Sequence, residues 1–160
     1  MFPHWIDANG DCQDTRAEVL IAESWVPVRY TSASRCTVAS GRWYSWYDGA
    51  VWTAAGDLDI DHLVALKEAW ESGARNWTTD RRRLFANDLD YPVSLFAVTD
   101  NVNQSKSDRD PAEWLPPLPS ARCDYDIHWA QVKIRWGLTI DTAERNTLAS
   151  ILSGSCGTRT

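Results

Sequence analysis

The sequence has no long apolar run and no excess of positive charge. None of its hydrophobic stretches approaches the ~20 residues that a membrane-spanning helix needs. The first residues, MFPHWIDANGDC, show neither the basic nor the apolar region of a signal peptide, so a secreted chain would be a processed form. The formal net charge of -6 argues weakly against a broad polyanion-binding surface, but it is compatible with a local basic rim.

The four cysteines lack the close CxxC spacing of zinc sites and redox motifs. Two disulfides are the simpler interpretation, and three connectivities are open. Sequential pairing would fasten each end of the chain to a middle without cysteine, joining Cys12 to Cys36 and Cys123 to Cys156. Such bridges indicate an oxidising compartment, and we expect a secreted, extracellular protein in its mature form. The alternative is four reduced, buried thiols in a cytosolic protein.

Length and composition predict one folded domain. A chain of 160 residues has the usual size of a single core. Its content of 44% hydrophobic and 24% charged residues is typical of globular proteins and not of disordered ones.

Helical periodicity and capping residues predict several helices. The first, at residues 14–25, starts with the capping pair Thr15 and Glu18 and places Trp25 on its apolar face. A later one carries the capping pair Asp141 and Glu144. The helical segments after the first lie at 63–74, 78–88, 101–108, 125–137 and 141–152.

Strand patterns lie between these helices. Short aromatic and β-branched runs between residues 35 and 53, with a turn signal at Asp48-Gly49, predict a small antiparallel meander. Residues 93–99 predict a further strand. Helices and strands are therefore mixed along the chain, which is typical of the α+β class.

The stretch DLDIDH, residues 57–62, ends on a carboxylate beside an imidazole. Neighbouring side chains in a strand point to opposite faces, so Asp61 and His62 are suited to different tasks. A carboxylate oxygen is a hard ligand for Mg²⁺, and a neutral imidazole accepts a proton from water. A buried, hydrogen-bonded pair is the alternative. The segment TDNVNQSKSDRDPAEWLPP favours a metal site, because it adds an amide, a basic residue and further carboxylates within a short stretch.

Together these segments resemble the HNH nucleases with the ββα-metal fold. The resemblance rests on DIDHLVALKEAW, SGARNW, FAND, AVTDNVNQSKSDRDPAEWLPP and VKIRWGL. The likeness is to secreted actinobacterial proteins related to the C-terminal nuclease domain of modification-dependent restriction enzymes of the GmrSD type. It implies a single α+β domain over residues 1–160, with a ββα-metal core at about 57–109, flanking helices and the small meander.

The resemblance also implies a role for each matching residue. His62 is the general base, while Asp61 and Asn103 are metal ligands. His62 deprotonates a water that attacks phosphorus in line, and a single Mg²⁺-like ion stabilises the phosphate charge and the leaving 3′ oxygen. The products carry 5′-phosphate and 3′-hydroxyl ends. Expected partners outside the ligand set are Asp59, Asn87 and Asp108, with Asn87 the nearest candidate for the middle asparagine of the HNH pattern.

The expected cofactor is a divalent metal. Many HNH members have histidine ligands on the helix, whereas this segment offers Asn103 and no histidine. An oxygen-only site favours Mg²⁺, or Mn²⁺, over Zn²⁺. The candidate phosphate contacts, for which a solvated helix face is the alternative, are Lys106, Arg109, Arg82 and Arg83.

Two other functions are compatible with the sequence. Its ten tryptophans could stack on sugars in a secreted module that binds carbohydrate or cell-wall polymer. An inactive HNH scaffold could bind a partner, although the retention of Asp61, His62 and Asn103 argues against it. For His4 and His128 we expect surface or packing roles. The leading hypothesis is a monomeric endonuclease acting on nucleic acid, DNA in preference, without a membrane partner.

Overall fold

The computed structural model of the protein describes residues 1–154 and residue 156. The helices in this part are α1 (Thr15–Glu23), α2 (Leu66–Glu71), α3 (Thr79–Ala86), α4 (Asp100–Lys106), α5 (Arg122–Trp136) and α6 (Thr142–Ser153). The strands are β1 (Arg29–Tyr30), β2 (Val38–Tyr44), β3 (Val51–Ala54), β4 (Leu58–His62) and β5 (Leu95–Thr99). No helix among the described residues has the length and apolar character that crossing a membrane requires.

Strands β4 and β5 form an antiparallel pair that carries the DLDIDH stretch. The pairing runs from Leu58 opposite Thr99 to His62 opposite Leu95. Helix α4 begins at Asp100, directly after β5, and packs against both strands. This strand–strand–helix unit, with helices and a second sheet around it, confirms the predicted α+β class with a ββα core.

An antiparallel meander is present as a three-stranded sheet in the order β1-β2-β3, but its first strand lies before the predicted region 35–53, which forms only β2 and β3. At the Asp48-Gly49 turn, Gly49 has φ +81°, a conformation that favours glycine. Trp43 in β2 is fully buried, and its Nε1 donates to the carbonyl of Leu20 at 2.7 Å. The meander therefore packs against α1.

Helix α1 differs from its prediction at both ends. Asp14 is the N-cap, and its side chain accepts from the backbone nitrogen of Ala17. The Thr15 hydroxyl instead donates to the Asn87 side chain at 2.7 Å. At the other end the chain leaves the helix at Ser24, whose ψ of 128° is extended. Trp25 is consequently 59% exposed and not on the apolar face, so both predictions were wrong.

Two hydrophobic clusters meet at the end of β4. Leu58 and Ile60 belong to one cluster with buried residues of α1 and β2. Leu63 and Val64, directly after His62, belong to the other cluster, which includes Trp129 of α5. Both sides of Asp61-His62 are thus anchored in close-packed interior, which holds the pair in place.

Helix α5 ends, and helix α6 begins, where the sequence predicts. Helix α5 stops at Gly137, which has the left-handed φ of +67°. Helix α6 starts with the full capping box of Asp141 and Glu144.

Helices α2, α5 and α6 contribute to a buried charged cluster that we call the Lys133 cluster, comprising Lys133, Glu68, Ser72, Thr139 and Glu144. Lys133 is 2% exposed. Its Nζ donates to both glutamates, to the Ser72 hydroxyl and to the Thr139 carbonyl. Every proton of this ammonium group therefore has an acceptor.

The structure contains the two predicted disulfides. Cys12 is bonded to Cys36, which ties the segment before α1 to the connection between β1 and β2. Cys123 at the start of α5 is bonded to Cys156, which follows α6. The sequential connectivity is confirmed.

Candidate active site

Asp61 lies buried at the end of β4 and receives hydrogen bonds on both carboxylate oxygens. Its side chain is 5% exposed. Lys106 Nζ donates to Oδ1 at 2.9 Å, and the Tyr47 hydroxyl donates to Oδ2 at 2.6 Å. Burial raises the pKa of Asp61 above its ordinary value, while Lys106 and Tyr47 act in the opposite direction. These two donors also fix the orientation of the carboxylate.

His62 projects from the next position and is fixed by a backbone carbonyl. Its Nε2 lies 2.9 Å from the carbonyl oxygen of Ala86, at the end of α3. Because a carbonyl only accepts, Nε2 carries the proton and donates, and Nδ1 keeps its lone pair. No donor among the described residues bonds to Nδ1. The ring is therefore arranged as a base with one free nitrogen.

The N-terminal segment, residues 2–6, forms a wall beside this histidine. The ring of Trp5 stacks on His62, with centroids 5.3 Å apart and planes at 28°. The ring of His4 stands edge-on to His62 at 6.5 Å. From the sequence we expected a surface or packing role for His4, without a partner for it. No local pattern could show this contact, because it joins distant parts of the chain.

Burial among these groups is the largest influence on the pKa of His62. It lowers the pKa to about 4 from 6.5, against the opposing effect of the Ala86 hydrogen bond. The positive charge of Lys106 adds to the lowering. The imidazole is thus neutral at pH 7 and able to accept a proton.

We expect a direct titration of His62 to show this shift. With three histidines in the chain, the Cε1–H proton resonances can be assigned by single substitutions, and His62 should titrate near pH 4. The folded state disfavours the charged ring, so this contribution to the free energy of unfolding is present above about pH 6.5 and is lost as the pH falls toward 4. A titration midpoint at or above 6.5 would contradict the burial of this ring.

Asn103 and Asp59 complete the polar side of the site. The amide Nδ2 of Asn103, on α4, donates to Asp59 Oδ2 at 3.3 Å. Among the described residues nothing donates to the side-chain oxygen of Asn103. A cleft of about 420 Å³ is lined by Asp61, His62 and Asn103 together with neighbours from α2 and α4. Three predicted site residues therefore line one cleft.

The oxygen donors around this cleft fit a hard divalent cation. The Asp61 carboxylate offers about four lone-pair positions, of which Lys106 and Tyr47 use two. The amide oxygen of Asn103 is a second oxygen ligand of the kind that Mg²⁺ and Mn²⁺ prefer.

A second acidic group does not offer this chemistry. Oxygens of Asp110, Asp141 and Glu144 lie within 4.8 Å of one another. However, Asp141 and Glu144 form the capping box of α6, and Glu144 also accepts from Trp129 and Lys133. Their oxygens are engaged in holding the helix.

The other predicted partners lie away from the Asp61 carboxylate. The Asn87 side-chain amide bonds to the N-terminal part of the chain and to the Arg83 carbonyl of its own helix. It donates to the carbonyl of Pro3 at 2.8 Å and accepts from the backbone of Ile6. It is the carbonyl of the preceding residue, Ala86, that contacts His62. Asp108 forms an ion pair with Lys67 at the surface.

Three of the four predicted phosphate contacts are engaged within the protein. Lys106 is fully buried against Asp61 and the carbonyl of His62. Arg82 donates to backbone carbonyls, including that of Trp77 at 2.6 Å. Arg83 lies 3.7 Å from an Asp80 oxygen. In the described part of the chain, the Arg109 side chain is exposed and has no ion pair, so Arg109 is the candidate best placed to meet a phosphate.

Comparison with known proteins identifies relatives over nearly the whole chain. Residues 14–151 match the family described as GmrSD restriction endonucleases, C-terminal domain. A protein of Arthroderma benhamiae (strain ATCC MYA-4681 / CBS 112371), named an uncharacterized secreted protein, is 49% identical over 152 residues, which cover 95% of this chain and 72% of the relative. No solved structure matches significantly. The chain therefore belongs to the family of GmrSD restriction endonuclease C-terminal domains, an HNH-type nuclease family.

Proposed function

We propose that the protein is a metal-dependent endonuclease that hydrolyses the phosphodiester bonds of DNA. The observation that carries the proposal is the shared cleft of Asp61, His62 and Asn103. A nuclease needs a proton acceptor and a holder of positive charge within reach of one phosphate. This cleft offers a neutral imidazole beside two oxygen donors.

His62 acts as the general base through Nδ1. It takes a proton from a water in the cleft while Nε2 continues to donate to the Ala86 carbonyl. That hydrogen bond favours the protonated ring and so assists the transfer. A phosphate anion beside the ring also raises the pKa of the imidazole, because its negative charge stabilises the imidazolium.

Asp61 and Asn103 are the proposed metal ligands, with Asp59 orienting the Asn103 amide. A divalent cation held there supplies positive charge for the phosphate and for the 3′ oxygen that leaves. Tyr47 and Lys106 orient the Asp61 carboxylate. Arg109 lies two positions beyond Ser107, which lines the cleft, and is the proposed contact for a neighbouring phosphate.

We also propose that the protein acts outside the cell. Its two disulfides require an oxidising compartment to form and persist. The name of the Arthroderma benhamiae relative describes a secreted protein.

The rival function, a tryptophan-based carbohydrate-binding module, has less support in the structure. Trp43 and Trp129 are fully buried, and Trp46 and Trp77 pack against other aromatic rings.

Metal removal tests the proposed function. We expect plasmid DNA to be cleaved in Mg²⁺ or Mn²⁺, and cleavage to stop when a chelator removes the ion. Double-stranded DNA, single-stranded DNA and RNA should be run side by side. Asp61→Ala should lose both cleavage and metal binding measured by calorimetry. Intact substrates across several divalent metals would refute the nuclease proposal, and metal binding without cleavage would favour the inactive scaffold.

A further inference from the structure

A second pocket adjoins the catalytic cleft, and we call it the aromatic pocket. It has a volume of about 350 Å³ and is lined by Met1, Phe2, His4, Leu66, Lys67 and Trp70. Leu66 lines both this pocket and the cleft that holds His62. The His4 ring, on its wall, stands 6.5 Å from the His62 ring. A molecule bound at His62 therefore has the aromatic pocket as its neighbour.

Trp70 is the exposed ring of this pocket. The residue is 39% exposed, although Ala69, which precedes it in α2, is fully buried. Phe2 meets the indole edge-on at 6.4 Å, and the Arg82 guanidinium lies over the ring at 5.4 Å. These contacts hold the indole in place, and the exposed remainder of the ring is available for contact with a ligand.

The lining of the aromatic pocket favours an uncharged ring as its occupant. Lys67 on the rim is paired with Asp108. Arg82 is bonded to backbone carbonyls of Ala74 and Trp77. Lys67 therefore has a carboxylate partner and Arg82 has carbonyl acceptors, while the walls of the pocket are largely aromatic and aliphatic. A flat, uncharged ring fits this lining better than an anion does.

We propose that the aromatic pocket binds one unstacked nucleobase of the substrate strand, next to the phosphate that is cleaved. The inference rests on the proposed nuclease function and specifies its substrate. Stacking on an exposed indole is open to every base, since all bases have a π-face, so the pocket adds affinity without sequence preference. A base enters only when it is out of its own stack, which makes unpaired strands the better substrates.

The test measures binding apart from cleavage. His62→Ala protein is mixed with a short fluorescein-labelled oligo(dT), and the dissociation constant is obtained by fluorescence anisotropy. In this background Trp70→Leu is expected to weaken binding about tenfold, the typical cost of losing one base–aromatic stack. Trp70→Phe, which keeps an aromatic ring, should retain most of the affinity.

Trp25 provides the matched control. It is 59% exposed, stacks on Tyr44 at 5.8 Å and has the Arg42 guanidinium over its ring at 5.6 Å, but it lies beside the meander. Trp25→Leu should leave the dissociation constant unchanged. A strand of the same length built only from abasic sites should bind the His62→Ala protein with equal affinity whether or not it also carries Trp70→Leu. Such a strand has no base that could stack on the indole.

Three results would overturn the aromatic-pocket proposal. They are equal affinity of the Trp70→Leu and Trp70 proteins for oligo(dT), an equal loss with the abasic strand, and no binding of oligo(dT) at all. Failure of the nuclease function itself is seen separately, as intact nucleic acid in the metal-dependent assay with the unsubstituted protein.

Discussion

Replacing His62 with alanine is expected to slow phosphodiester cleavage by about 10²–10⁴-fold, the usual contribution of a positioned general base. The substitution removes Nδ1, the nitrogen that has no donor among the described residues. It also removes the donor to the Ala86 carbonyl. The measurement is the initial rate of oligonucleotide cleavage at saturating Mg²⁺, with the fold checked by circular dichroism.

The control for this substitution is His128→Ala. His128 stacks on Phe96 with centroids 6.0 Å apart. It is a histidine that is partly buried, as His62 is. His128 is not among the residues that line the cleft of Asp61, His62 and Asn103. Its cleavage rate should stay close to that of the unsubstituted protein. If His62→Ala cut as fast as the unsubstituted protein, another group would have to be the base.

Replacing Lys133 with methionine is expected to lower the free energy of unfolding by about 3–5 kcal/mol, the cost of breaking a buried ion pair by removing one partner. Methionine keeps much of the side-chain volume but removes the ammonium group. Glu68 and Glu144 then lose their cation in the interior of the Lys133 cluster. For a domain of this size the melting temperature should fall by about 10 °C or more.

Lys67→Met is the matched control for the Lys133 prediction. Lys67 also pairs with a carboxylate, Asp108, but its side chain is 66% exposed. Water solvates Asp108 when the partner is removed, so no measurable change is expected. Both melting temperatures are measured by calorimetry at pH 7. Equal melting temperatures for the two variants would show that the Lys133 cluster contributes no more than a surface pair.

The parts of the fold that were predicted correctly depend on neighbours in the sequence. The capping box of Asp141 and Glu144 and the stop at Gly137 involve contacts within a few positions. The α1 cap was misjudged because the Thr15 hydroxyl bonds to Asn87, 72 positions away. Such a partner is set by tertiary packing, which a local pattern does not contain.

In the candidate site, too, the contacts that tertiary packing creates were not predicted from the sequence. The resemblance of the DLDIDH and NVNQSKSD segments to HNH nucleases implied which residues share a cleft. The burial of Lys106 was not predictable, since it depends on Asp61, 45 positions earlier, taking the ammonium out of solvent. The stack of Trp5 on His62 likewise follows from where the N-terminal segment docks.

The docking of residues 2–6 beside His62 has its own free energy, separate from the free energy of global unfolding. Residues 2–6 are anchored by Phe2, which is 7% exposed, and by the Asn87 amide through Pro3 and Ile6. Release of so short a segment costs less free energy than unfolding of the two cores, so it belongs to the more frequent openings of the native state. Each opening would admit water to the His62 ring and return its pKa toward 6.5. The pKa of His62 is therefore coupled to the docking equilibrium of the N-terminal segment, and not only to global folding.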